Sequence, residues 1–441
     1  MSVLIAMAAA AAASQPLAFP GAEGAGRHAL GGRGGMVRTV TTLADSGPGS
    51  LREAVEAKGP RTVVFAVAGT IKLEKPLRIR EGRITIAGQS APGGGITLRD
   101  HPLEVAADDV VIRYVRSRLG DESRTESDAI WIMGGRRIIL DHVSASWSVD
   151  ETLSASANYT RPTEGFYDLT VQWSIIANSL TRSLHAKGEH GYGSLIRGGR
   201  GSYISFHHNL WANHSARMPR PGNYSGPDVD PIGAFFDFRS NVFYNWGGAR
   251  SGYNADKESL ARYNFVDNSY IAGPQTQKAI AFDESNRLAK AYFADNSMNG
   301  TIPGDPWSLV TGLQAPGYRL TAPVETPPVA RDRAETSYAR VLATAGASRA
   351  RDSVDAAVVA GVRDRSGRLI DSQRDTGGWP LLEAGTPPVD SDRDGMPDAW
   401  ERRHRLDPKR NDSASDRDRN GYTAIEDYLN GLADGATSTV S

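Results

Sequence analysis

The sequence predicts an all-β fold: a solenoid of β-coils with a small C-terminal calcium-loop module. Three observations point to it. Short β-branched and aromatic runs, separated by polar or glycine turns, follow one another from Arg61 to Tyr270 without a long helical pattern. Apolar positions Ile84, Ile112, Ile139, Val171, Ile204, Phe238 and Phe265 recur at intervals of 28, 27, 32, 33, 34 and 27 residues, a loose period of the kind stacked coils show. Asn209, Asn241 and Asn268 end the similar phrases HHN, RSN and VDN, and asparagines at equivalent turns can hydrogen-bond up a stack. A β-sandwich with ordinary turn asparagines is the alternative reading of the same spacing.

The 441 residues allow one large domain and a small one. Formal net charge is −1, which argues against bulk nucleic-acid binding, so any cationic surface for an acidic ligand is local. There is no cysteine, which excludes disulfides, thiol nucleophiles and thiolate metal sites. Residues 3–13 form an alanine-rich apolar run followed by Ser14, Gln15 and Pro16, so 1–18 reads as a signal-like segment, although no Lys or Arg precedes it. A disordered or helical tail is the other reading. No later run approaches the ~20 apolar residues of a membrane span. A secreted or periplasmic monomer with no membrane span is expected.

In chain order, 19–35 is too rich in glycine for regular structure and is expected as a packed loop. Ser50 can cap a short helix with Leu51, Ala54 and Val55 as its apolar stripe and Glu53 three residues on, as in a capping box. That helix would cover an open end of the solenoid. The coils themselves occupy 19–275. Beyond Pro274 the pattern dissolves, and 276–385 is expected as an extension lying along the solenoid, with a helix near 348–361 capping its far end. Residues 386–441 change character. Asp390, Asp392, Asp394, Asp398 and Glu401 stand at positions 1, 3, 5, 9 and 12 of an EF-hand-like calcium loop, with Gly395 at 6. A second copy places Asp416, Asp418, Asn420, Gly421 and Asp427 at 1, 3, 5, 6 and 12. A solvated acidic tail is the bland alternative. Paired loops of this kind need an ion to offset carboxylate repulsion, so calcium reads here as a structural clip.

The stretch 202–220, SYISFHHNLWANHSARMPR, begins with strand alternation and ends in Arg217 and Arg220 around Pro219. Proline stiffens the chain and would hold both guanidinium groups in place, a recipe for gripping a polyanion. His207 and His208, adjacent on a strand, would point to opposite faces and so could not share a metal. This stretch, the phrase DAIWIMGGRRIILDHVSASWSVDE and the coil pattern together resemble the pectate lyases, over roughly 19–275. The C-terminal region resembles dockerin or thrombospondin type 3 calcium modules.

The resemblance implies a right-handed parallel β-helix and a Ca²⁺-dependent enzyme that cleaves polygalacturonate by β-elimination to 4,5-unsaturated products. It implies that Asp128 and Asp150 are calcium ligands of the catalytic site. A further family carboxylate falls on Ser154 here, and Glu151 is the candidate to replace it. Arg217 matches the catalytic base. Arginine is a poor base in water, since its unperturbed pKa exceeds ~12, and a substrate-carboxylate clamp is the generic reading of the same residue. Arg220 is expected on a substrate carboxylate, and a further family arginine falls on Gly222. Lys187 is the candidate substrate lysine, with His185 and His190 as alternatives in the same stretch.

The chemistry accounts for these residue types. Elimination across a uronate needs the C6 carboxylate neutralised, a base for the C5 proton, and help for the leaving C4 oxygen. Ca²⁺ bridging protein and substrate carboxylates would supply the first. Two rivals are a glycoside hydrolase, which needs paired carboxylates but gives the two arginines no role, and a non-catalytic glycan-binding or adhesin solenoid. Methylation preference and endo or exo action would depend on loops near 155–168 and 215–235.

Overall fold

A computed structural model describes residues 15–161, 163–313 and 315–437. Residues 1–14, which hold most of the signal-like segment, lie outside the described residues. From Met36 to Gly312 the chain is a parallel β-solenoid. Sheet one stacks ten strands, from Met36–Val40 and Arg61–Phe65 through Tyr203–His207 to Ala261–Val266 and Lys290–Ala294. Sheet two stacks nine, from Gly69–Lys72 to Ser297–Met298. Sheet three stacks Leu77–Ile79, Leu103–Ala106, the start of Ile130–Asp141, Leu153–Ser156, Leu195–Arg197 and Arg220–Gly222. Gly252–Asn254, Phe282–Glu284 and Val310–Gly312 carry it on. All these pairs are parallel. Strand pairing therefore runs well past residue 275. The late coils are short and polar between strands, so their apolar period is hard to see in the sequence.

Each coil turns from sheet one into sheet two at one kind of corner. His142, Trp173, His208, Ser240, Asp267 and Asp295 occupy the left-handed region there, with φ of 49–56°. This conformation costs a non-glycine residue about 1 kcal/mol. Buried asparagines offset it. The Asn209 side-chain amide donates to the Val171 carbonyl at 2.8 Å, and the Asn209 backbone N–H donates to Asn241 Oδ1 at 2.9 Å. The same pair of bonds recurs from Asn241 to Asn268 and from Asn268 to Asn296. Asn296 is one rung more than the three phrases indicated. Rings at successive corners also stack. Centroids of Tyr114, His142, Trp173 and His208 follow at 4.7, 6.1 and 4.2 Å. Because His208 is left-handed, it does not face away from His207. The two Nδ1 atoms lie 2.9 Å apart, and burial pushes His208 down to about 3.

Inside, Phe206, Phe238, Phe265 and Phe293 form one ladder with centroid spacings of 6.1, 5.0 and 5.6 Å. The paired register shifts part of the expected apolar row. Ile86, Ile112, Leu140, Val171, Phe206, Phe238 and Phe265 align, so Ile84 and Ile204 belong two residues earlier. Ile139 faces outward, against Phe19 and Val111. Strands covered on both faces are apolar on both, so hydrophobicity alone does not identify the inner face.

The helix Leu51–Glu56 covers the first coils as expected, with Leu51 and Val55 in the core. Ser50 caps it by accepting from the Glu53 N–H, while Glu53 reaches back to the Gly49 N–H rather than that of Ser50. The glycine-rich loop packs on sheet one, where a Cβ at Gly26 would lie 2.0 Å from the Ile138 carbonyl oxygen. Helices Ala334–Thr344 and Ser353–Asp364 do not cap the far end of the solenoid. Their Val341, Leu342, Val358 and Val362 lie on the flank of sheet two, against Leu210, Val242 and Tyr244. The buried Arg118 anchors the second helix through Asp352 and Asp355, the latter at 2.7 Å. Once two long helices cover a sheet face, that face has no need of polar outward residues, so the extension and the sheet are apolar together.

Glu284, in a late coil, is fully buried, and burial pushes its carboxyl up to about 8 from an ordinary 4.5. An unfolded chain releases this proton near 4.5 while the native state keeps it to about 8. The native state therefore binds more protons across that window, and stability falls as pH rises through it. Glu284→Gln should remove this component: its melting temperature, compared with wild type between pH 4.5 and 8.5 at about half-unit steps, should decline less. Parallel declines in the two proteins would contradict the buried-acid assignment.

Candidate active site

Loops leaving sheet two enter sheet three, and chemistry-bearing side chains sit just before the sheet-three strands. Asp128 lies two residues before Ile130 and Glu151 two before Leu153, and these two strand positions are paired. Glu151 in turn bridges Tyr192, and Tyr192 bridges Ala216. Coil stacking thus forms one row of Asp128, Glu151, Tyr192 and Ala216, each step about 4.8 Å. Arg217 follows at the row's end, itself left-handed with φ 61°. Residues far apart in sequence meet because each occupies the same station in its own coil.

Oxygens of Asp128, Asp150 and Glu151 all lie within 4.8 Å of one another. Asp128 is buried and accepts from the Glu151 backbone N–H at 3.2 Å. Burial, then the neighbouring Asp150 charge, raise its carboxyl well above the usual range. Burial also works against charge on Asp150, but the His190 contact and the fields of His185 and Arg217 outweigh it and hold Asp150 below its ordinary value. Three crowded carboxylates, all hard oxygen donors and two of them buried, fit a hard divalent cation such as Ca²⁺.

The cationic side faces them directly. The Arg217 guanidinium is ion-paired with Glu151 and lies 4.1 Å over the Tyr192 ring, and its Nε donates to the Tyr253 hydroxyl at 3.4 Å. Its side chain is 14% exposed, so one edge reaches the groove. Arg220 lies on the outer face of sheet three, 5.3 Å from the Tyr253 ring. Burial, and the Arg197 and Arg217 charges beyond it, lower its pKa. Arg197 pairs with Asp256 at 2.7 Å and lies 3.8 Å over Tyr224. At Gly222 a Cβ would come 2.0 Å from Asp256 Oδ2, so a side chain there would require Asp256 to shift.

The structure thus unites Asp128, Asp150, Glu151, Arg217 and Arg220. It sets Lys187 apart from them and brings His190 in against Asp150. Lys187 is exposed on the loop 178–193, and of its groups it is the backbone N–H that turns inward, donating to His185 Nδ1 at 3.1 Å. His190 is buried, stacks on His185 at 3.6 Å, and places Nε2 2.8 Å from Asp150. Tyr192, Tyr253 and Arg197 escape sequence reasoning. Aligning coils by station would have found Tyr192, which shares Glu151's position.

At the C-terminal loops, Asp390, Asp392 and Asp394 converge as expected, and so do Asp394 and Glu401. Burial and then mutual repulsion push Asp394 up to about 6 and Glu401 to about 7. Asp398 does not join them. Its carboxylate accepts from the Ser391 N–H and hydroxyl and pairs with Arg402, because it opens the helix Asp398–His404. In the second loop, Asn420 bridges Asp418 and Asp427, and Asp416 accepts from the Gly421 N–H.

No family model matches the sequence. The chain is 37% identical over 424 residues to a probable pectate lyase C of Neosartorya fischeri, spanning 94% of each protein. It is 38% identical over 429 residues to a probable pectate lyase C of Aspergillus terreus, again across 94% of each. Among solved structures, a pectate lyase bound to hexasaccharide superposes with a TM-score of 0.53 at 13% identity, covering 76% of this chain and 99% of that one. The cedar-pollen allergen Jun a 1 superposes with a TM-score of 0.52 at 17% identity, covering 74% and 92%. At these identities the structural likeness shows the fold.

Asp128→Asn removes a buried anion from the carboxylate trio without changing its shape. Calcium affinity at this site, read by equilibrium dialysis of the whole chain, should fall on the order of tenfold or more. An unchanged isotherm would contradict a cation site at Asp128.

Proposed function

The chain belongs to the pectate lyase family, and from that premise we propose that Arg217 is the base of a β-elimination on polygalacturonate or a related acidic polysaccharide. Asp128, Asp150 and Glu151 would hold Ca²⁺, which when bound neutralises the uronate C6 carboxylate and acidifies the C5 proton. The observation that carries the reading is the contact of Arg217 with the carboxylate trio across neighbouring coils.

The protein groups divide the work. Arg217 takes the C5 proton. The electron pair of that C–H bond forms the C4=C5 double bond, the C4–O4 bond breaks, and the leaving oxygen gains a proton from solvent. To accept the C5 proton, the guanidine must first have given one of its own protons to solvent. Glu151 is ion-paired with Arg217 and would also be a ligand of a bound cation. The Tyr192 ring and the Tyr253 hydroxyl keep the guanidinium plane fixed meanwhile. Arg220, lying beside it on the outer face of sheet three, is placed to pair with a neighbouring uronate carboxylate. His190 and His185 fix Asp150 from behind.

We place the enzyme outside the cytoplasm, on the apolar run at 3–13. Among the described residues no helix is long and apolar enough to cross a membrane.

Incubation with polygalacturonate and Ca²⁺ should raise ultraviolet absorbance from the unsaturated sugar end, and chelator should abolish the rise. Arg217→Lys should cut turnover by about a hundredfold or more while leaving polyuronate binding nearly intact, because the charge stays and the planar fork is lost. Reducing ends without unsaturated product, or a lysine variant as fast as wild type, would remove the proposed chemistry.

A further inference from the structure

The C-terminal module gathers a set of carboxylates that differs from its sequence pattern. Glu401 is 0% exposed, and both of its carboxylate oxygens lack a hydrogen-bond partner. Asp392 Oδ2 and Asp412 Oδ1 are buried without partners as well. Leaving such groups unpaired is costly, so their convergence calls for a positive charge. Asp412 comes from the segment between the two loops, outside the twelve-residue pattern. Its carboxylate lies within 4.8 Å of Asp394 and Glu401, and its backbone N–H donates to Asp394 Oδ2 at 3.2 Å. Asp398, which the pattern nominates, is satisfied by Ser391 and Arg402.

The same loop is seated on the solenoid. Gly395 would place a Cβ 2.8 Å from Val37, and Met396 is fully buried with Val64, Ala87, Ile425 and Tyr428. Arg33 pairs with Glu426 at 2.9 Å beside this contact. Ordering the loop therefore orders a plug on the outer face of the first coils of sheet one.

We propose that a Ca²⁺-like divalent cation binds among Asp390, Asp392, Asp394, Glu401 and Asp412, with Asp412 in place of Asp398, and that it latches the module onto the first coils. The site is separate from the groove around Arg217, so its occupancy is read by structure and does not need turnover. With the cation bound, the repulsion between these carboxylates becomes attraction and the plug stays seated. Without it, the loop opens and strands Met36–Val40 and Arg61–Phe65 lose their cover.

Hydrogen exchange of the full chain across a Ca²⁺ titration tests the proposal, with Tyr203–His207 as an internal reference for folding. In wild type, rising Ca²⁺ should protect 390–401, 424–433 and Met36–Val40 with one midpoint. Asp412→Asn should move that midpoint up on the order of tenfold or more, and Asp398→Asn by less than about threefold. Glu401→Gln, which keeps the shape, should shift it as Asp412→Asn does. A wild-type midpoint in Asp412→Asn, an equal shift in Asp398→Asn, or protection of the loop without Met36–Val40 would overturn it.

Discussion

Registered hydrogen bonding between coils is the constraint on which everything else rests. The asparagine rungs from Asn209 to Asn296 stitch each left-handed corner to the next, so no coil can slip against its neighbour without stranding a buried amide. A slip of one residue would turn every side chain in a strand to the other face. Register is therefore what lets Asp128, Glu151 and Arg217, contributed by different coils, share one groove. The catalytic geometry is a property of the stack, and no single loop carries it.

The electrostatics follow from that stacking. Three carboxylates and a guanidinium are brought closer than free side chains would choose, and neither set is balanced alone. Asp128 stands above its ordinary pKa while Asp150, facing two histidines, stands below it. Glu151 links the two sets through its ion pair with Arg217. On the proposed reading, a site so arranged would take a cation on one side and an anionic sugar on the other. The C-terminal module has a comparable cluster, with both oxygens of the buried Glu401 and Oδ1 of Asp412 unpaired beside a hydrophobic plug.

Much of this was legible in the residues. The coil architecture followed from strand spacing, the asparagine rungs from three short phrases, and the candidate carboxylates and arginines from a family resemblance carried by two longer ones. What escaped did so for physical reasons. Ile139 reads as core but packs outward, because both strand faces are covered. Tyr192 and Tyr253 carry no motif, since their role depends on coil position and not on local sequence. Lys187 and His190 lie five and two residues from Tyr192 in one loop, and only the fold decides that the histidine turns in and the lysine out. Asp412 lies outside its loop's repeat, so the twelve-residue pattern does not nominate it, although its carboxylate converges on Asp394 and Glu401.

The central claim is that one cation and one guanidinium meet the same sugar ring. A crystal structure of the Arg217→Lys protein soaked with Ca²⁺ and an oligogalacturonate tests it most directly. The account predicts anomalous density for calcium between Asp128, Asp150 and Glu151, sharing a uronate carboxylate, with residue 217 facing C5 of that same ring. Calcium bound elsewhere in the groove, or a sugar whose C5 faces away from residue 217, would contradict it.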